Sequence, residues 1–135
     1  MSKNEPQQVR QERDLPHPPS RVWAALTDPK ALSSWMMPCV GDPSDGPFRF
    51  RNDWGDVECE VLDRKEEHRL ALSWRSGALD SVVVFSLSPS DTGTRLTVEQ
   101  SGFPDDEPRF FMGARAGWPR FLDSLSTYLK GKIAA

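Results

Sequence analysis

Residues Glu107 to Lys130 set the strongest constraint on what this chain can fold into. Phe110, Phe111, Ala114, Trp118, Phe121, Leu122, Leu125, Tyr128 and Leu129 recur at one- to four-residue steps, clustering on one face of a helix. Asp105, Asp106 and Glu107 lead into Pro108, where orphan amides and the helix dipole favour negative charge and proline suits the first turn. Lys130, Gly131 and Lys132 supply an ending of cation and glycine. Pro119, two residues after Gly117, should kink this helix or divide it. So wide and aromatic a stripe must be covered, and everything upstream reads as its cover.

Val9 to Leu15 carries a charge at every second or third position, the mark of an edge strand. His17-Pro18-Pro19 breaks it, and Pro19 opens a short helix, Ser20 to Leu26, with Val22, Trp23 and Leu26 on one face. Asp28 then caps a second short helix that starts at Pro29 and runs to Trp35. Met36 to Gly46 reads as a loop, with turn chemistry at Gly41-Asp42-Pro43 and Asp45-Gly46. Beyond it the period drops to two: Phe48 and Phe50, then Val57, Cys59 and Val61, then Leu70, Leu72 and Trp74. Ser81 to Leu87 is a continuously apolar central strand, and Thr94 to Gln100 closes the series with Leu96 and Val98 inward. Short polar connections imply an antiparallel meander with one buried face. The string is β–α–α–β–β–β–β–β–α, an α+β design in a single domain, residues 1–135 with a core of about 9–130. A curved sheet held off a long helix by bulky aromatic side chains leaves room for an internal cavity.

A chain of 135 residues builds such a core without disulfides. Cys39 and Cys59 form no CxxC pair and read as reduced thiols. The formal net charge is −3, which gives no electrostatic footprint for nucleic acid or an anionic membrane. The polar MSKNEPQQ start is no signal peptide and no apolar run nears spanning length, so a cytoplasmic location is expected.

The blocks PPSRVWAALTDPKALSSWMMP, GPFRF, VLDRKEEHRLALSW, VVVFSLSPSDTGTRLTVEQSGF and GWPRFLDSLSTYL occur in this order. Together they resemble the activator-of-Hsp90-ATPase-homologue-1-like branch of the START/Bet v 1-like (SRPBCC) superfamily, over roughly residues 9–130. The resemblance implies a helix-grip fold: a seven-strand antiparallel sheet wrapped around the C-terminal helix, enclosing a hydrophobic pocket. Pro119 departs from the pattern, where such proteins more often carry a helix former. The superfamily spans lipid and hormone carriers, aromatase/cyclases and chaperone activators, so the fold leaves the function open.

Catalysis needs titratable groups converging in a pocket. His17, in a proline-bounded turn, and His68, in a charged hairpin, both read as solvated surface. No nucleophile elbow, HExxH, phosphate loop or Cys/His cluster occurs, so no catalytic residue, metal or cofactor is expected. Glu58 and Glu60 share a strand face opposite Val57, Cys59 and Val61, a solvent face before it is an acid–base pair.

The aromatic and thioether residues carry the better signal. Trp35, Met36 and Met37 cluster after the second helix, Trp54 lies on a hairpin and Phe103 precedes the last helix. These residues suit either a pocket mouth or core plugs and an oligomer interface. Phe48, Phe50, Trp74, Phe85, Phe111 and Trp118 are expected between sheet and helix, where core and cavity wall are one surface. Arg115, one turn before Trp118, is a candidate cation at the cavity mouth or a plain surface arginine.

The leading expectation is therefore a non-catalytic module holding a small hydrophobic molecule in an internal cavity, with a homodimer suggested by aromatic edges. A regulator of an Hsp90-type chaperone partner and a cyclase/dehydratase-like enzyme using Arg115 or Glu60 stand beside it.

Overall fold

The computed structural model of the protein describes residues 8–53 and 55–134. The elements run β1 Gln8–Leu15, α1 Pro19–Thr27, α2 Pro29–Trp35, β2 Cys39–Val40, β3 Phe48–Phe50, β4 Val57–Lys65, β5 Arg69–Ser76, β6 Leu79–Ser90, β7 Gly93–Ser101 and α3 Pro108–Ala134. The strands form one antiparallel sheet in the order β1-β7-β6-β5-β4-β3-β2. Its curved inner face receives α3, and the two short helices follow the first strand, an α+β helix-grip architecture.

Alternation in sequence becomes alternation in burial. On β6, Leu79, Ser81, Val83, Phe85 and Leu87 are buried, and on β7 Thr94, Leu96, Val98 and Gln100; of these Phe85 and Gln100 meet Trp118 of α3. The helix contributes Trp118, Leu122, Leu125 and Leu129, all buried, each worth about 1.5–3 kcal/mol for the area it removes from water. Phe110, Phe111 and Ala114, earlier on the same stripe, are only partly buried. The helix thus grips the sheet through its second half and stands off it through its first.

Three expectations change. Pro119 neither divides nor ends α3, which is continuous from Pro108 to Ala134. The lost bond is the one its N–H would give the Arg115 carbonyl, on an exposed residue that water can reach. Arg13 of β1 then clamps this region, its guanidinium binding the Asp123 carboxylate and the Pro119 carbonyl. The Met36–Gly46 loop contains β2, whose two residues pair with Phe50 and Arg49 of β3; two residues are too few to show a period.

His17 is the third correction. It is 3% exposed, not solvated, because the link from β1 to α1 folds under the sheet. There its carbonyl accepts the Thr94 hydroxyl at 2.7 Å, while neither ring nitrogen finds a partner. Burial, then the Arg21 and Lys130 charges, holds its pKa below the ordinary value. The unfolded chain therefore binds the extra proton first. Stability is complete above a pH of about 6.5, falls as the pH drops through it, and has lost the whole contribution below the native-state value. We expect His17→Leu to flatten the thermal-unfolding profile between about pH 7.5 and 5; an unchanged slope would show that the imidazole stays neutral for free.

Several local expectations agree with the structure. Asp28 accepts the Lys30 amide at 3.2 Å and caps α2. Trp35 donates its indole N–H to the Ala25 carbonyl at 2.8 Å, bracing α2 on α1. His68 is exposed, and both cysteines are free. Burial pushes the Cys59 thiol up to about 12, which leaves it inert as a nucleophile.

Candidate functional site

Where the first half of α3 stands away from the sheet, a cavity of about 520 Å³ opens. Its helix wall is Phe110, Gly113, Ala114, Gly117, Trp118 and Phe121, successive positions of one face. The sheet supplies Val57, Trp74, Leu79 and Gln100, and Met37 and Asn52 close one end. The β5–β6 hairpin forms part of the rim: Ser76 pairs with Leu79 across Gly77-Ala78, and Gly77 has φ +58°, the left-handed conformation that two-residue hairpins demand and glycine adopts cheaply.

Trp74, Trp118 and Met37, three of the expected binding residues, line this space. Phe48, Phe50 and Phe85 stand behind it as buttresses. Phe50 packs on Trp74 at 5.6 Å, Phe48 on Phe50 at 5.7 Å, and Phe85 sets its edge to Trp118 at 5.9 Å. Phe103 and Phe111 make a separate edge-to-face pair at 5.6 Å. Trp35 is spent on the helix brace, and Met36 packs partly buried against the core. Trp54 lies outside the described residues.

Arg115 is exposed and does not line the cavity, because at about 100° per residue it falls on the opposite side of Trp118 from Ala114, Gly117 and Phe121. Arg109 does line it, with its guanidinium 2.9 Å from Glu107 and 4.8 Å over the Phe110 ring. Glu58 and Glu60 are exposed. They border a different, more polar groove of about 500 Å³ with Arg49 and Arg75, whose guanidiniums face Asp56 and Asp80.

The polar feature that sequence reasoning missed is Gln100, 2% exposed in the cavity wall. Trp118 Nε1 donates to its Oε1 at 2.8 Å, its Nε2 donates to Ser81 Oγ at 2.9 Å, and that hydroxyl donates to the Trp74 carbonyl at 2.8 Å. A signal was present: Gln100 is the next inward position after Leu96 and Val98, and a polar residue there asks for a partner. Among the described residues lining the cavity, Arg109 is the only one that carries a charge, so no acid–base pair converges there.

The comparisons agree with this fold. Residues 16–130 match the family described as activator of Hsp90 ATPase homolog 1-like protein. Protein MLL2253 from Mesorhizobium loti superposes with a TM-score of 0.85 at 39% identity, over 92% of this chain and 97% of that one. DynU16, from the dynemicin biosynthetic locus, superposes with a TM-score of 0.78 at 29% identity, over 91% of this chain and 47% of its own. Cytochrome P450 monooxygenase BOT1 of Botryotinia fuckeliana is 29% identical over 117 residues, 84% of this chain, and the chain spans only 20% of that protein's length. With 39% identity across nearly all of a solved relative and a family match over residues 16–130, the chain belongs to the activator of Hsp90 ATPase homolog 1-like family.

Proposed function

We propose that this protein binds a small hydrophobic molecule in the cavity between α3 and the sheet, and acts as a non-catalytic carrier or sensor. The observation that carries this reading is the cavity: about 520 Å³, within the roughly 300–1,000 Å³ typical of ligand sites, walled by aromatic and small side chains. Gly113 and Gly117 fit the same reading. Glycine inside a helix costs about 1 kcal/mol against alanine, and here the missing side chains leave the helix wall low.

Native mass spectrometry of freshly purified protein tests it directly. The expected spectrum shows a discrete extra mass that departs on denaturation. Gly117→Leu should remove that mass: a Cβ at 117 meets nothing nearer than the Phe121 ring at 3.9 Å, so the added side chain enters open space. The variant should also melt about 2–5 °C higher through its better helix propensity. Wild-type protein that stays bare after incubation with apolar aromatic compounds would overturn the reading and leave the chaperone-partner alternative. The same spectrum reads monomer against dimer.

The similarity to DynU16 favours a second reading, a cyclase/dehydratase-like enzyme that folds a polyketide-like substrate in this space. Arg109, not Arg115 or Glu60, would then be the assisting group, since it alone among the described charged residues borders the cavity.

A further inference from the structure

The Gln100 amide has fixed orientation. An indole N–H can only donate, so the group 2.8 Å from Trp118 Nε1 must be the carbonyl oxygen, Oε1. Nε2 is thereby turned to Ser81 Oγ at 2.9 Å, and Ser81 commits its own proton to the Trp74 carbonyl. Trp118, Ser81 and Gln100 are all buried, so no solvent competes for these bonds.

A glutamine amide has two N–H donors and two oxygen lone pairs. The relay uses one of each, and among the described residues nothing uses the others. One donor and one acceptor therefore remain on a side chain that lines the cavity and is 2% exposed. Unmet capacity in an apolar enclosure favours an occupant that meets it, because buried polar groups cost free energy until they are paired. The occupant's group must be uncharged there: no charged residue among those described stands deep in the wall, and a buried ion without a counter-charge is expensive. The one neighbouring cation, Arg109, is exposed and already engaged by Glu107 and Phe110. Trp74 and Trp118, ring centroids 5.6 Å apart and inclined at 49°, line the same cavity and supply apolar aromatic surface suited to rings.

We propose that Gln100 determines the specificity of this cavity, and that the ligand is an aromatic ring system carrying an uncharged hydroxyl or carbonyl group at its buried end. The proposal rests on the carrier reading above. It is tested with matched probes in equilibrium dialysis: 2-naphthol, 2-methylnaphthalene and 2-naphthoate. A featureless apolar cavity prefers the methyl compound, which is the more hydrophobic. With Gln100 as anchor, 2-naphthol binds about tenfold tighter than 2-methylnaphthalene, as one to two good hydrogen bonds allow, and 2-naphthoate binds weakest.

The double variant Gln100→Leu with Trp118→Phe removes acceptor and donor together, so neither orphans the other, and Ser81 loses only the bond it accepts while keeping its own to the Trp74 carbonyl. In it the methyl compound should become the preferred probe, with the melting temperature as the check on folding. Wild-type preference for the methyl compound or for naphthoate would overturn the Gln100 anchor while leaving the cavity reading intact. A double variant that keeps the naphthol preference would overturn it too. Failure of all three probes to bind at their solubility limits would overturn the cavity reading and this proposal with it.

Discussion

Trp118→Ala is expected to remove roughly 3–5 kcal/mol of stability and lower the melting temperature by about 10–20 °C. The indole is 2% exposed and is the meeting point of the core. It contacts Trp74 at 5.6 Å, Phe85 at 5.9 Å and Phe121 at 5.6 Å between ring centroids. Truncation strips all three contacts, enlarges the cavity it already borders, and orphans Gln100 Oε1. Backbone collapse cannot close the gap, because α3 is pinned on the far side by Leu122, Leu125 and Leu129, each at most 1% exposed. Trp118→Phe separates the two contributions: it keeps most of the packing and drops the hydrogen bond, so it should cost only about 1–2 kcal/mol. Urea midpoints of the three proteins decide the matter. A Trp118→Ala loss no larger than that of Trp118→Phe would mean that packing at the helix–sheet junction is not what holds the grip.

The position of Trp118 was readable from periodicity, and so was most of the sheet. Period-two runs located β3, β4, β5 and β7, whose inward positions alternate with polar or small ones, and a continuous apolar run located β6. The aromatic stripe identified α3 in the same way. What periodicity cannot register is an element too short to repeat, such as Cys39–Val40. Nor can it register a burial imposed by the path of a connection, as at His17. Composition around His17 is that of an exposed turn; only the pairing of Leu15 with Thr94 brings the turn beneath the sheet.

Lining the cavity is a finer property than being buried, and most of the site failed to show for that reason. An inward aromatic residue can end as wall or as buttress, and sequence gives Trp74 and Phe85 the same description. The outcome depends on where α3 departs from the sheet, which is fixed by how its second half packs. Gly113, Ala114 and Gly117 carry no chemistry to notice; they matter by volume alone. Gln100 was the legible exception, a polar residue in phase with Leu96 and Val98. Arg115 illustrates the opposite error: proximity to Trp118 along the chain suggested the mouth, whereas a rotation of about 100° per residue makes Arg109, one turn before Gly113, the arginine on that side.

Gly93→Ala should be the most damaging small substitution on the sheet side, costing roughly 3–5 kcal/mol from overpacking and backbone strain together. Gly93 begins β7 where β1 ends, and the two chains approach too closely for any side chain. A Cβ there would stand 2.5 Å from the Leu15 carbonyl oxygen, 2.6 Å from the His17 nitrogen and 2.7 Å from the His17 oxygen. All three are backbone atoms, so no rotamer change relieves the clash. The same atoms are already committed: Leu15 O accepts the His17 amide at 2.8 Å, and His17 O accepts Thr94 Oγ1. Relief must therefore come from prising β1 off β7, which would also release His17 into water and erase the acid-dependent loss of stability described above. Gly113→Ala is the matched control. Its Cβ meets nothing within 4 Å and it lies in a helix, so it should raise stability by about 0.5–1 kcal/mol. Chemical denaturation of both variants at neutral and mildly acidic pH gives the comparison. If Gly93→Ala were tolerated within about 1 kcal/mol, the close approach of β1 to β7 would not be a constraint on the fold, and the burial of His17 would need another cause.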